Sequence, residues 1–290
     1  MKKKRVAILL HGLLRSWKEC STVYSYWPKL YPDLEFDFYL CSWTDHKQLP
    51  IEKGEHEKFT DNEFLKFKNY KLYAQEESVG VKGQPDHIFH FYEDILNKRE
   101  DKTLFTYPFL FLKQQVCRLM IDEGVEYDGV LITRPDMFVH KEFLDDFYRS
   151  VMNIINTGKR NLELGDNILY NPSGTNFVNG SLFCNRDTIW YGNQKAMEKA
   201  WKDCFDDPFV NCKIRPQGLH GFQASYLNWK RIYNCSTRSN GANIVRATFH
   251  LNKKNSPVKE DIALLIQEYG INLYDIDHDT LLVKHFNVHG

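Results

Sequence analysis

Residues 127–140 read YDGVLITRPDMFVH. An acidic turn leads into an apolar run that closes on Arg134-Pro135-Asp136, and a second apolar pair follows. A short apolar run bounded by turn residues predicts a strand buried on both faces, the kind a parallel sheet supplies. Just upstream, Phe109, Leu112, Val116, Leu119 and Met120 recur at helical spacing, which predicts a helix from about 108 to 123. Gly124 stands where the C-cap of that helix belongs. A helix feeding at once into a buried strand is the repeating unit of an α/β fold.

The same unit extends outward. RVAILL at 5–10 predicts a buried parallel strand, HGLLRS a loop, and the aromatic segment from about 22 to 30 a helix that Pro32 stops. LEFDFYLCSW alternates Leu34, Phe36, Phe38 and Leu40 with other residues and reads as a strand, as does NYKLYAQ. Residues 46–63 are polar, and residues 78–90, with Gly80, Gly83 and Pro85, read as loop. Downstream come an amphipathic helix over 141–156, a strand at NFVNGSLFCNR (176–186), and a helix starting from Asp187 as N-cap. HGFQASYLNWKRI is helical in pattern and ANIVRATF strand-like. SPVKEDIALLIQEYG carries Ser256 before Pro257 at its start and Gly270 after its end. Alternating strands and helices predict an α/β fold with a Rossmann-type, mostly parallel sheet flanked by helices. One domain over 1–254 is expected, with 255–290 as its helical appendage.

With 38 basic and 38 acidic residues the chain lacks the basic excess of a dedicated nucleic-acid binder. Seven cysteines without a Cys-x-x-Cys pair fit reduced thiols rather than a disulfide framework. The start, MKKKRVAILLHGLLRSW, imitates a signal peptide, but His11 and Arg15 interrupt its apolar run and no small-residue cleavage site follows. No stretch approaches the ~18 apolar residues of a membrane span. A cytoplasmic protein with no stable membrane anchor is expected, with peripheral docking on a membrane left open.

In an open parallel sheet, ligands bind beyond the carboxyl ends of the strands. Three such ends carry usable groups: Gly12 and Arg15 after the first strand, Trp43, Asp45 and His46 after the second, Arg134 and Asp136 after the fourth. Glycine permits close backbone approach, and arginine suits a phosphate. Each has a plain structural alternative. Arg15 could cap a helix, Asp45 and His46 could form a turn, and Arg134 with Asp136 could be an ion pair around a proline-fixed bend. A P-loop and a Gly-x-Gly-x-x-Gly fingerprint are both missing from the sequence, which argues against a P-loop kinase or an NAD enzyme.

The order of these segments resembles a family of GT-A-like glycosyltransferases found in capsule, lipopolysaccharide and viral glycan gene sets. HGLLR matches that family's strand followed by Gly-x-x-Arg, and DFYLCSWTD its second strand with a Trp-Asp-like end. YDGVLITRPD, LGDNILYN and FVNGSLFCNRD match its later segments, so the resemblance spans about residues 5–250. It implies a nucleotide-sugar donor held by Gly12, Arg15, Trp43, Asp45, Arg134 and Asp136, with Asn179 and Gly180 on the acceptor side. The acceptor would be a glycan or a lipid-linked glycan. GT-A enzymes hold Mn²⁺ or Mg²⁺ on an Asp-x-Asp; hard oxygen ligands suit those ions, which neutralise the leaving diphosphate. Here Arg134 replaces the first acid, so Asp136, with His250 as a weaker second ligand, is what remains for a metal, and metal dependence stays open.

An inverting transferase needs a base near the acceptor hydroxyl, and Asp166 in LGDNILYN is the first candidate; a plain loop acid beside Gly165 is its alternative. Asp187 fits an N-cap better. His220 and Gln223 stand where many GT-A enzymes place an acidic motif. A retaining mechanism would need no such base. YDIDHD, with Asp275, Asp277, His278 and Asp279, reads as a solvated turn, and His285 and His289 as a tail. A glycoside hydrolase with paired carboxylates and a non-catalytic nucleotide- or carbohydrate-binding relative are the competing functions.

Overall fold

The computed structural model describes residues 2–12, 14, 17–43, 65–73, 106–154, 162–172, 189–207, 223, 226–237, 242–244 and 269. In chain order the elements are β1 (Lys4–His11), α1 (Trp17–Leu30), β2 (Leu34–Trp43), β3 (Phe67–Tyr73), α2 (Thr106–Asp122), β4 (Gly129–Thr133), β5 (Met137–Val139), α3 (Lys141–Met152), β6 (Ile168–Asn171), β7 (Trp190–Gly192), α4 (Gln194–Trp201), β8 (Tyr233–Ser236) and β9 (Ala242–Ile244). Seven strands form one sheet in the order β3-β2-β1-β4-β7-β6-β8, and β5 pairs with β9 in a separate ribbon. The β3-β2-β1-β4 half is parallel, β7 runs antiparallel to both of its neighbours, and β6 and β8 are parallel. The expected α/β class with a mostly parallel, helix-flanked sheet is the architecture observed.

Strand periodicity divides the core between the two faces. Val6, Ile8 and Leu10 of β1 pack with Trp17, Tyr24 and Trp27 of α1 and with Phe143 and Phe147 of α3. Ala7 and Leu9 face the other way, toward Leu112, Val116 and Met120 of α2 and Met197 and Trp201 of α4. Helices on both sides explain why the Val6–Leu10 run of β1 and Gly129–Ile132 of β4 are continuously apolar rather than alternating. Gly129 sets the α3 spacing: a Cβ there would lie 2.5 Å from Val151 Cγ2, so any side chain would push the helix off β4.

Several boundaries differ from expectation, each for a local reason. α1 starts earlier, at Trp17, and carries Pro28 within its length. α2 ends as foreseen, with Gly124 at φ +65 donating its N–H to Ile121 O at 2.9 Å. α3 stops at Met152, because Asn153 adopts the left-handed conformation and caps it. The helix placed after Asp187 begins only at Gln194. Trp190–Gly192 is instead strand β7, wholly buried between β4 and β6, and Asn193 is the N-cap, its Oδ1 accepting from Ala196 N at 2.8 Å. The expected strand over 176–186 and the helix over 256–270 lie outside the described residues, apart from Tyr269. That side chain is buried in the core and its hydroxyl donates to Val139 O of β5.

One polar network staples the amino edge. Asp37 Oδ2 accepts from Arg5 Nε at 2.8 Å, Tyr127 OH at 2.8 Å and Lys68 Nζ at 3.1 Å, while Tyr127 and Tyr39 share a 2.6 Å hydrogen bond. It joins β1, β2 and β3 to the approach to β4. Burial raises the Asp37 carboxyl, but the bonds from Tyr127, Lys68 and Arg5 outweigh it and hold its pKa below the usual value. A depressed carboxyl stabilises the fold above its unfolded pKa of about 3.9, and that contribution fades as pH falls through the folded value. Asp37→Asn is therefore expected to cost about 1.5–3 kcal/mol near neutrality, with the gap to wild type closing below about pH 4. Thermal melts across that range check it; a gap independent of pH would contradict it.

Candidate functional site

Because β2, β1 and β4 are adjacent and parallel, their carboxyl ends open onto one edge. The register aligns Leu10 with Thr133, so the chain leaves β1 at His11-Gly12 beside the point where it leaves β4 at Arg134. Arg134 to Met137 is a tight turn closed by Met137 N donating to Arg134 O at 3.2 Å. Proline at the second position pre-sets its backbone angle there, and Asp136 at the third keeps φ negative, as a type I turn requires. This puts both side chains on one side of the bend. Arg134 Nε donates to Asp136 Oδ1 at 2.8 Å and an Nη donates to Oδ2 at 2.6 Å. Asp136 is fully buried, whereas 13% of the Arg134 side chain reaches solvent. Two of the guanidinium's five N–H donors are thus committed to the carboxylate.

Two neighbours hold the turn in place. The Tyr24 hydroxyl of α1 reaches Arg134 O at 3.1 Å and, more closely, Met137 O, so it bridges both ends of the bend. Burial, above all, raises its pKa well above the usual range, and it remains a donor. On the other side Gly12 has φ +125, a conformation costly for any residue with a Cβ. The space beside it is tolerant, since an added Cβ would meet Arg134 Cγ at an ordinary 3.7 Å. Ser42 Oγ of β2 donates to Gly12 O at 2.6 Å and fixes the peptide that follows.

Two further polar side chains, His11 and Lys113, are buried on the α2 side. His11 is buried; burial first, then the charges of Lys113 and Arg134, push its pKa well below the usual value, so its ring is neutral at pH 7. Lys113 is also buried, with Nζ 4.1 Å from the centre of the Trp201 ring.

Of the residues singled out in the sequence, Gly12, Arg134 and Asp136 come together here. Trp43 lies at the same edge but not as a stacking surface. Its ring is buried, stacked on Phe111 at 5.9 Å and edge-on to Tyr73 at 6.4 Å, so it builds the wall of the core instead. Asp166 is not at this site. Register carries Leu169 to Gly192 and Gly192 to Val130, which puts residue 166 beyond the amino edge of the sheet. At about 3.3 Å per residue it is roughly 20 Å from Arg134 along the strand direction. There its carboxylate accepts from Asn193 Nδ2 at 2.8 Å and faces Lys195 Nζ at 3.4 Å, an exposed brace at the start of α4. The Asn193 hydrogen bond and then Lys195 lower its pKa. Arg15, Asp45, His46, Asn179, Gly180, Asp187, His220, His250, Asp275, Asp277, His278, Asp279, His285 and His289 lie outside the described residues. Gln223 is buried one helical turn before Tyr226, and neither of its amide atoms has a hydrogen-bond partner among the described residues.

Lys113, His11 and Tyr24 were not legible as site residues. The signals were present but faint: a lysine between Phe109 and Val116 on an apolar helix stripe, and a histidine closing an apolar strand. The described residues do not fit a divalent cation on Asp136. Both of its oxygens accept from Arg134, the group is buried, and no cluster of three His, Cys, Asp or Glu occurs among the described residues.

No protein-family model matches the chain, and no curated protein matches it. Among solved structures it is similar to the galactosyltransferase LgtC in complex with donor and acceptor sugar analogs. That pair has 11% identity and a TM-score of 0.34, over 80% of this chain and 73% of the other. An active-site mutant of LgtC is similar at 12% identity and a TM-score of 0.30, over 70% and 65%. Likenesses of that size assign no family. Among the described residues no helix is long and apolar enough to cross a membrane.

Proposed function

We propose that the chain is a glycosyltransferase that moves a sugar from a nucleotide-sugar donor to a glycan or lipid-linked glycan acceptor. The observation that carries this reading is the Arg134 guanidinium, held by Asp136 at the carboxyl edge between β1 and β4 and partly open to solvent. A planar donor at that edge suits the diphosphate of a nucleotide sugar. The charge of Lys113, which acts on His11 at the end of β1 together with that of Arg134, adds positive potential. The order of the sequence segments supports a GT-A-like transferase in particular. Paired-carboxylate hydrolysis is disfavoured: Asp136 is tied to Arg134, and Asp166 is at the opposite edge. Retaining and inverting glycosidases hold their two carboxyl groups within about 5–9.5 Å.

A thermal-shift screen against UDP-, GDP-, dTDP- and CMP-sugars tests the proposal. A ligand at about 100 times its Kd stabilises the fold by about 2.7 kcal/mol, so one nucleotide class is expected to raise Tm by several degrees. No shift with any class would count against the reading, and release of sugar from a glycoside without nucleotide would replace it with the hydrolase.

A further inference from the structure

Resting on that reading of the site, we infer that Asp136 and Tyr24 are positioning residues for Arg134, and that donor binding at this turn is independent of a divalent cation. An Asp at the end of a sheet strand beside an anion site ordinarily invites a metal, which would bridge carboxylate and phosphate. This carboxylate has another occupant. Its two oxygens receive two parallel N–H donors, at 2.8 and 2.6 Å, from the residue two positions earlier. A cation entering between them would have to displace a guanidinium that delivers the same positive charge, and the group is fully buried. The pair therefore supplies what a metal would supply: a planar cation fixed at the edge of the sheet, with 13% of its side chain reaching solvent.

Fixing the guanidinium needs the backbone fixed as well. Tyr24 does this from α1, since its hydroxyl spans Arg134 O and Met137 O at the two ends of the turn. The ring is anchored in the core, edge-on to Trp27 at 4.8 Å. Arg134 is thus held at its carbonyl by Tyr24 and at its guanidinium by Asp136. An arginine held at both ends forfeits little side-chain freedom when an anion arrives, which is the source of affinity in a preorganised site.

The test is calorimetric affinity for UDP, GDP and dTDP, in EDTA and in saturating Mn²⁺, well below Tm so that folded fraction does not enter. For the nucleotide that binds, wild-type Kd is expected to agree within about twofold between the two media. Arg134→Lys keeps the charge but loses the planar fork and is expected to weaken binding about 10–100-fold. Asp136→Asn and Tyr24→Phe, each with the arginine intact, are expected to weaken it about 5–20-fold equally with and without Mn²⁺. Loss of wild-type binding in EDTA, or a defect in Asp136→Asn confined to Mn²⁺, would make Asp136 a metal ligand and overturn the inference while leaving the site in place. Undiminished affinity in Tyr24→Phe would remove Tyr24 from it. Undiminished affinity in Arg134→Lys, or no binding of any probe, would overturn the reading of the site itself.

Discussion

Asp136→Ala is expected to lower the unfolding free energy by about 3–5 kcal/mol, a large share of the stability of any single domain. The cost is not the value of the ion pair, which burial largely cancels. It arises because the substitution leaves a guanidinium with 13% exposure and no carboxylate across its Nε and Nη donors. Arg134→Ala creates the complementary problem, a fully buried carboxylate that has lost both guanidinium donors. The double variant removes both halves of the contact at once, so its loss should be well below the sum of the two single losses. Asp136→Asn retains one acceptor and should cost less than alanine, about 1–3 kcal/mol. Urea denaturation of the four proteins reads all of these. Single losses under about 1 kcal/mol, or strict additivity, would mean that the pair is solvated and not preorganised.

Trp201→Ala carries the second large effect. This indole is fully buried at the end of α4, 6.0 Å from the Trp190 ring and 6.2 Å from Tyr226. Truncating a buried tryptophan costs about 3–5 kcal/mol through lost transfer energy and the cavity left behind. Here the ring also faces Lys113 Nζ at 4.1 Å, and a desolvated cation–π contact adds about 2 kcal/mol. Trp201→Phe keeps an aromatic face under the ammonium and should lose distinctly less. The sharper comparison is Trp201→Ala in a Lys113→Met background, where the cation–π contact is already absent. A smaller loss there, by about 1–2 kcal/mol in thermal or urea unfolding, would show the coupling; equal losses would reduce Trp201 to packing alone.

The legible parts of this protein were those with long, uniform patterns. The apolar runs of β1 and β4 and the helical stripe of α2 predicted a helix-flanked parallel sheet, and its carboxyl edge predicted where Gly12, Arg134 and Asp136 would meet. Short strands escaped notice. β5 and β7 are three residues long and β6 and β8 four, too few for alternation to register against helical spacing. That gap hid where Asp166 lies. With β7 unseen, and its antiparallel run through Trp190–Gly192 unseen with it, nothing in LGDNILYN indicated that residue 166 precedes β6 at the far edge. Trp43 was ambiguous for another reason, because an aromatic at a strand end has the same sequence whether it stacks on a ligand or, as here, on Phe111. For Arg134 and Asp136 the sequence left two readings, a structural pair or a ligand site. The pair is the geometry observed, and on the present proposal it is also what readies the arginine.

The most direct test is a crystal structure with the nucleotide that binds, in which the distance from the Arg134 guanidinium to the nearest phosphate oxygen is measured. The proposal predicts a charge-assisted contact of about 2.7–2.9 Å beside Gly12, with the Arg134–Asp136 pair intact and no cation bridging Asp136 to the phosphates. A nucleotide bound at the amino edge near Asp166, or phosphates held through a cation on Asp136 with Arg134 turned away, would contradict it.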